Sequence, residues 1–370
     1  MHPASLAIVC PWVPPTESAV TQYVLEVARS LGAQTAVHVV WVGAEAGSVD
    51  GAAGTVVVAD RGVRTVGPLL EVLARLRPER VVIQYSPYLW ARSGFDVTAA
   101  LLACALRWRG APPDVVFHEL WVPPMLRPVG LLRGLFQRVM AGVLARAARR
   151  SVVTSRERLG ELARVGGNAL SLVPMTSLVP VLPLAPGERD RLRAELGLAA
   201  GELALVVFGF DHDSRPTGGL VAVRRALEAA GVSSRLLVIG TARTPGCEGW
   251  ALELGYCAAE RVSRLFAAAD VFLAPFVDGV STRRTSVAAA FAHALPVVTT
   301  LGEHTDSSVF TPERVALAPV NDAAAFAAQV VEVARHASRR AELAAAGHAL
   351  YLASLALPRH TASLWAVHAS

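Results

Sequence analysis

Along the whole chain, short unbroken runs of apolar residues alternate with stretches whose apolar positions recur every three or four residues. These are the spacings of strand and amphipathic helix. Runs at 5–10, 37–42, 55–58, 81–84, 115–117 and 152–154 predict strands. Helical spacing marks 20–31, where Val20, Tyr23, Val24, Val27 and Leu31 fall on one face, and again 66–76, 97–108 and 156–164. After residue 186 the rhythm resumes, with strands at 203–208, 236–239, 271–274, from 297, and at 315–318. Helices are predicted at 188–196, 220–230, 259–268, 285–293, 323–336 and 339–352, with a short one at 358–368. Strand and helix alternating at this pace predict an α/β fold with doubly wound parallel sheets.

At 370 residues the chain exceeds what one core usually organises, and two Rossmann-like parallel-sheet domains facing a cleft are expected. The segment 172–186 carries four prolines and no helical spacing, which makes it the candidate linker. The predicted domains are therefore 1–178 and 179–352, with a helical tail, 353–370, packing back toward the first. Ligands of doubly wound sheets lie outside the carboxyl ends of the strands. That rim takes in the loop after Cys10, His118 at the end of the strand 115–117, and the loop that follows the strand 271–274.

Composition narrows the chemistry. All 35 basic residues are Arg, so Schiff-base and pyridoxal chemistry and a Lys-bearing P-loop are excluded. With abundant Ala, Gly, Pro and Val this is also the usage of a GC-rich bacterial genome. A net charge of +5 without a basic run interleaved with aromatics argues against nucleic acid as a partner. Cys10, Cys104, Cys247 and Cys257 lack metal-ligand spacing and fit a reducing cytoplasm. No signal peptide and no membrane span is expected. From 123 to 156, however, seven Arg and no acid are threaded through apolar positions. That stretch reads either as an Arg-solvated, core-packed helix or, around 131–150, as a basic amphipathic helix in peripheral contact with the inner membrane face.

The loop Asp278-Gly279-Val280-Ser281-Thr282-Arg283-Arg284-Thr285-Ser286 sits between a strand and a small-residue helix. It offers a carboxylate, a glycine, four hydroxyls and two guanidinium groups. Its backbone N–H groups, from Val280 to Thr282, are expected to face an anion at the start of the helix. The whole stretch 269–300 resembles the donor-binding region of GT-B glycosyltransferases, specifically glycosyltransferase family 4 and its bacterial relatives. Three further places carry the resemblance: Val207-Phe208-Gly209 with Arg215 six residues on, Phe117-His118-Glu119-Leu120, and the first loop, 15–23, with Glu17, Ser18 and Ala19.

The resemblance implies a nucleotide-sugar-dependent, retaining, metal-independent transferase with no cofactor, the nucleotide diphosphate sugar being a co-substrate. It implies that Arg215, Arg283 and Arg284 neutralise the donor diphosphate beside Gly209, Gly279, Val280, Ser281 and Thr282. It assigns Asp278 and His118 to the donor sugar as the catalytic pair, Tyr256 to the loop holding the base, and Glu17, Ser18 and Ala19 to the acceptor side. The expected acceptor is a small natural product. A membrane glycolipid or envelope polysaccharide is the alternative, and a non-catalytic sugar-nucleotide-binding protein the reading from another class.

The sequence departs from the family pattern at four positions. Asp278 and Ser286 stand where Glu is usual, and Ser286 can accept one hydrogen bond but cannot clamp two hydroxyls as a carboxylate does. Phe210 replaces an Arg, and Ala19 a Gly. Asp211-His212-Asp213 has the look of a metal-binding Asp-x-Asp but falls among phosphate-binding elements, so no metal is expected.

Overall fold

The computed structural model describes residues 5–11, 19–32, 35–43, 55–58, 61–122, 128–167, 169–209, 219–240 and 244–365. Backbone contacts divide the chain into two units, one of Met1–Pro174 with Leu357–Ser370 and one of Met175–Ala356.

The first unit begins with β1 (Ser5–Pro11), α1 (Ala19–Gly32), β2 (Ala36–Val42) and β3 (Thr55–Val58). There follow α2 (Val66–Leu76), β4 (Arg80–Tyr85), the single turn α3 (Pro87–Trp90), α4 (Thr98–Trp108) and β5 (Asp114–Phe117). Then come α5 (Pro128–Ala147), β6 (Arg150–Val153), α6 (Arg156–Arg164) and β7 (Leu170–Leu172). The strands form one parallel sheet in the order β3-β2-β1-β4-β5-β6-β7. β1 is apolar from Leu6 to Cys10 and wholly buried, as a parallel strand with both faces covered must be. The face of α1 that carries Tyr23, Val24, Val27 and Leu31 is also buried, each aliphatic side chain contributing about 1.5–3 kcal/mol.

The second unit runs α7 (Glu188–Glu195), β8 (Leu203–Phe208), α8 (Gly219–Ala229), β9 (Ser234–Ile239), β10 (Ala251–Gly255), α9 (Ala259–Ala268) and β11 (Val271–Ala274). It continues with α10 (Thr285–Ala292), β12 (Val297–Leu301), β13 (Ala316–Pro319), α11 (Ala323–Arg335) and α12 (Ala337–Leu350). Its parallel sheet has the order β10-β9-β8-β11-β12-β13, the doubly wound arrangement whose strand order reverses between the first and fourth strands, here β8 and β11. The period of two along a strand sorts this unit into two cores. Ala204 and Val206 of β8 and Phe272 of β11 join Phe266 and Phe291 on one side. Leu205, Val207, Val271 and Leu273 join Leu220 and Val330 on the other.

A wide π-helical turn, Tyr351–Leu355, follows α12. α13 (Leu357–Trp365) then packs in the first unit beside α1. His360 fixes it there. Its Nδ1 lies 2.7 Å from the carbonyl oxygen of Pro174, which can only accept, so Nδ1 carries the proton and donates. Nε2 is then the acceptor for the Tyr23 hydroxyl at 2.8 Å. Arg150 adds bonds to the carbonyls of Ser363 and Leu364.

The two units divide within the segment 172–186, between Pro174 and Met175. Leu172 ends a strand and Val173, Met175, Ser177 and Val179 are buried, whereas from Pro180 to Pro186 the chain is largely exposed. Much of the arginine surplus is also structural. Asp114 is held by Arg80 and Arg149 at the amino end of β5, and Asp270 by Arg189 and Arg193 at the amino end of β11.

Candidate active site

At the carboxyl edge of the second sheet, three strands end in glycine. Gly209, Gly240 and Gly255 follow β8, β9 and close β10, all with positive φ. The Gly209 N–H donates to Ile239 O at 2.9 Å and the Gly240 N–H to Gly255 O at 2.8 Å. A Cβ on Gly240 would stand 2.1 Å from the Gly209 carbonyl oxygen, at a φ of +109°. Backbone is thus laid on backbone at the switch point, where a ligand can approach the chain without meeting side chains. Gly240→Ala should cost about 3 kcal/mol or more, from the backbone conformation and the overlap together. Urea unfolding would check this, and an unchanged midpoint would contradict the packing. Tyr256 follows directly and is half exposed.

Across the switch point, β11 leads into the loop of residues 276–284. β12 pins this loop along its length. The Thr300 hydroxyl accepts from Phe276 N at 3.0 Å and donates to Phe276 O at 2.6 Å, and Val280 N donates to Thr300 O at 3.0 Å. The expected exposure of the Val280 N–H to an anion is therefore corrected, because that group already has a strand carbonyl as its partner. α10 itself starts at Thr285, so the N–H groups of a helix start lie later than expected. Gly279, at φ +89°, packs so closely on the next loop that a Cβ would meet Thr305 Oγ1 at 2.2 Å and Gly302 N at 2.5 Å.

This clamping places Asp278 between two guanidinium groups, Arg283 on one carboxylate oxygen and Arg284 on the other. Arg284 also lies over the Phe276 ring, 4.1 Å from its centroid, and His304 Nδ1 stands 3.5 Å from Asp278 Oδ2. Asp278, Arg283 and Arg284 keep part of their surface, whereas Val280, Ser281, Thr282 and Ser286 are buried. The Ser281 hydroxyl is enclosed without a hydrogen-bond partner among the described residues. The charged groups of the loop thus meet at the edge, and most of its hydroxyls lie beneath.

In the first unit, His118 follows β5 on the carboxyl edge. Its N–H donates to Tyr85 O at 2.8 Å and its Nε2 lies 2.7 Å from Gln84 Oε1. An amide oxygen accepts, so Nε2 is protonated and Nδ1 is the acceptor nitrogen. Tyr23 meets the imidazole edge-on, at 5.1 Å between centroids. Enclosure first, then the charge of Arg158 and the neighbouring His360, pushes the His118 pKa down to about 3. The ring keeps some surface at the edge, but it is neutral through the physiological range. Ala19 is the exposed first residue of α1. Glu17, Ser18, Phe210, Arg215 and the run Asp211-His212-Asp213 lie outside the described residues.

Residues 220–336, from α8 through α11, match the family of group 1 glycosyl transferases. This is a glycosyltransferase domain. The fold of the chain is GT-B. Sucrose-phosphate synthase from Thermosynechococcus elongatus matches it with a TM-score of 0.75 at 15% identity, over 97% of this chain and 97% of that one. HepE of Anabaena, solved in complex with UDP and glucose, gives 0.69 at 15% identity over 98% of each chain. WaaG, a glycosyltransferase involved in lipopolysaccharide biosynthesis, gives 0.68 at 12% identity over 98% of this chain and 99% of that one. No curated protein matches it in sequence.

Several residues that shape the two sheet edges are absent from the sequence reading. Gly240 repeats the strand-then-glycine pattern of Phe208-Gly209 at Ile239-Gly240, a signal that was available. Thr300, Gly302 and His304 act through loop-to-loop contacts that no spacing rule predicts. Gln84 sits a strand away from the histidine whose tautomer it sets.

Proposed function

We propose that this GT-B glycosyltransferase moves a sugar from a nucleotide diphosphate sugar to a hydroxyl-bearing small molecule, with retention at the anomeric carbon and without a metal. The bond from the anomeric carbon to the diphosphate oxygen breaks, a bond to the acceptor oxygen forms, and the acceptor proton leaves. The departing diphosphate needs positive charge, and the sugar needs hydroxyl acceptors. One observation carries the reading: a carboxylate and two guanidinium groups, Asp278 with Arg283 and Arg284, meet at the switch-point edge of the sheet. In this proposal the arginines, together with Arg215, take the diphosphate, and Asp278 takes the sugar hydroxyls. HepE, with the same fold, holds UDP and glucose. For the role that the resemblance gives His118, a ring neutral down to about pH 3 is a hydrogen-bonding group and not a proton carrier.

A second reading, with a membrane glycolipid or envelope polysaccharide as acceptor, is favoured by an exposed aliphatic row on α5. Thermal stabilisation by UDP, GDP, dTDP and ADP, in chelator, tests the donor side. A ligand at 100 times its Kd adds about 2.7 kcal/mol. A selective rise that Arg215→Ala removes, together with turnover of the matching sugar nucleotide, is the expected result. A rise without hydrolysis or transfer would leave a non-catalytic sugar-nucleotide-binding protein, and no rise with any nucleotide would overturn the donor reading.

A further inference from the structure

α5 is apolar on two opposite faces. Its inner face buries Ala141, Leu144 and Ala145 in the first unit's core. Its outer face holds Leu131, Leu132, Leu135 and Val139, each between 51% and 62% exposed. These positions fall on one side of a helix, so they form a continuous row. Of the helices packed against α5, α6 presents Arg156 and Arg164 to solvent, and α4 exposes the apolar Leu101 and Trp108 at separate positions. A water-facing row of four aliphatic side chains costs solubility unless something covers it.

The borders of the row indicate what that is. Arg133 lies over the Phe95 ring at 5.7 Å and Arg138 over the Trp121 ring at 5.4 Å. Among the described residues neither has an ion-pair partner, and no acid occurs from 123 to 156. Aromatic faces hold both guanidiniums in place while leaving their charge uncompensated. We propose that this face docks the protein on an anionic lipid bilayer, the aliphatic row entering the acyl boundary and Arg133 and Arg138 meeting lipid phosphates. A second copy of the chain fits less well, since two such faces together would bring arginines against arginines with no acid between them. The row begins on the first turns of a helix that leaves the carboxyl edge of the sheet, the edge that also holds His118. The proposal concerns the first unit alone and stands apart from the donor reading.

Co-sedimentation with vesicles of phosphatidylcholine, with and without phosphatidylglycerol, provides the test. The protein is expected to pellet with the anionic vesicles only, and progressively less as salt rises. Leu132→Ser with Leu135→Ser should weaken the binding about tenfold or more, and Arg133→Gln with Arg138→Gln by about fivefold for each charge removed. Circular dichroism and thermal midpoints would confirm that both variants keep the fold, as substitution of outward side chains allows. Absence of pelleting, equal pelleting with neutral vesicles, or binding indifferent to either variant would overturn the proposal. So would a dimer, seen by light scattering, that the leucine variant takes apart.

Discussion

Asp278→Asn is expected to lower sugar transfer about a hundredfold while a nucleoside diphosphate without its sugar binds as well as before, or better. The two effects separate because Asp278 sits between two kinds of partner. Its carboxylate neutralises Arg283 and Arg284, and in the proposed reading it also accepts from the donor sugar. A carboxamide of the same shape keeps the loop's packing but carries no charge. Both guanidiniums then lose their competing anion, and a diphosphate gains access to them. The sugar loses a charged acceptor, and a hydrogen bond to a charged group contributes about 1.5–3 kcal/mol, roughly ten- to a hundredfold in rate or more if it strengthens in the transition state. Arg284→Ala should behave in the opposite sense, weakening the diphosphate itself. Initial rates with the cognate sugar nucleotide and calorimetric titration with the bare diphosphate would show both. If Asp278→Asn weakened diphosphate binding in parallel with transfer, Asp278 would be a support for the loop and not a sugar contact.

The same loop marks the boundary of what the sequence could tell. Its position between a strand and a helix was legible, because the apolar run of β11 and the small-residue helix α10 are unambiguous patterns, and so were α2, α6 and α9. Its chemistry was legible as an inventory of groups. The pairing of Asp278 with both arginines was not, because it depends on where β12 clamps the backbone, and Thr300 reads in sequence as one more β-branched strand residue. The same clamp removed Val280 from the expected anion-facing groups. β7 and β10 escaped for local reasons. β7 has three residues, and β10 is an edge strand whose Glu253 breaks the apolar run. The prolines of 172–186 marked the stretch in which the two units divide, but not that its first half is buried, since proline excludes helix whether the chain around it is exposed or buried.

Stability of the first unit is expected to fall as pH drops below about 6.5, by up to about 1.4 kcal/mol per pH unit for each of two enclosed histidines. Burial pushes His360 down to about 4, and His118 to about 3 with help from Arg158. In the unfolded chain both titrate near 6.5. Above that value neither state holds the proton, so the contribution is fully present. Between 6.5 and the folded values the unfolded chain takes up protons that the folded chain refuses, and stability declines as pH falls. His360 should dominate. Its Nδ1 already donates to Pro174 O and its Nε2 is the only acceptor for the buried Tyr23 hydroxyl among the described residues, so a second ring proton would displace that bond in a buried site. His118 retains some exposure at the sheet edge, and solvent there softens its share. Urea unfolding between pH 5 and 7 would measure the slope, and His360→Gln, which cannot titrate, should reduce it by close to one proton. A midpoint that does not move over this interval, or a slope unaltered by His360→Gln, would mean that α13 does not depend on the neutral imidazole.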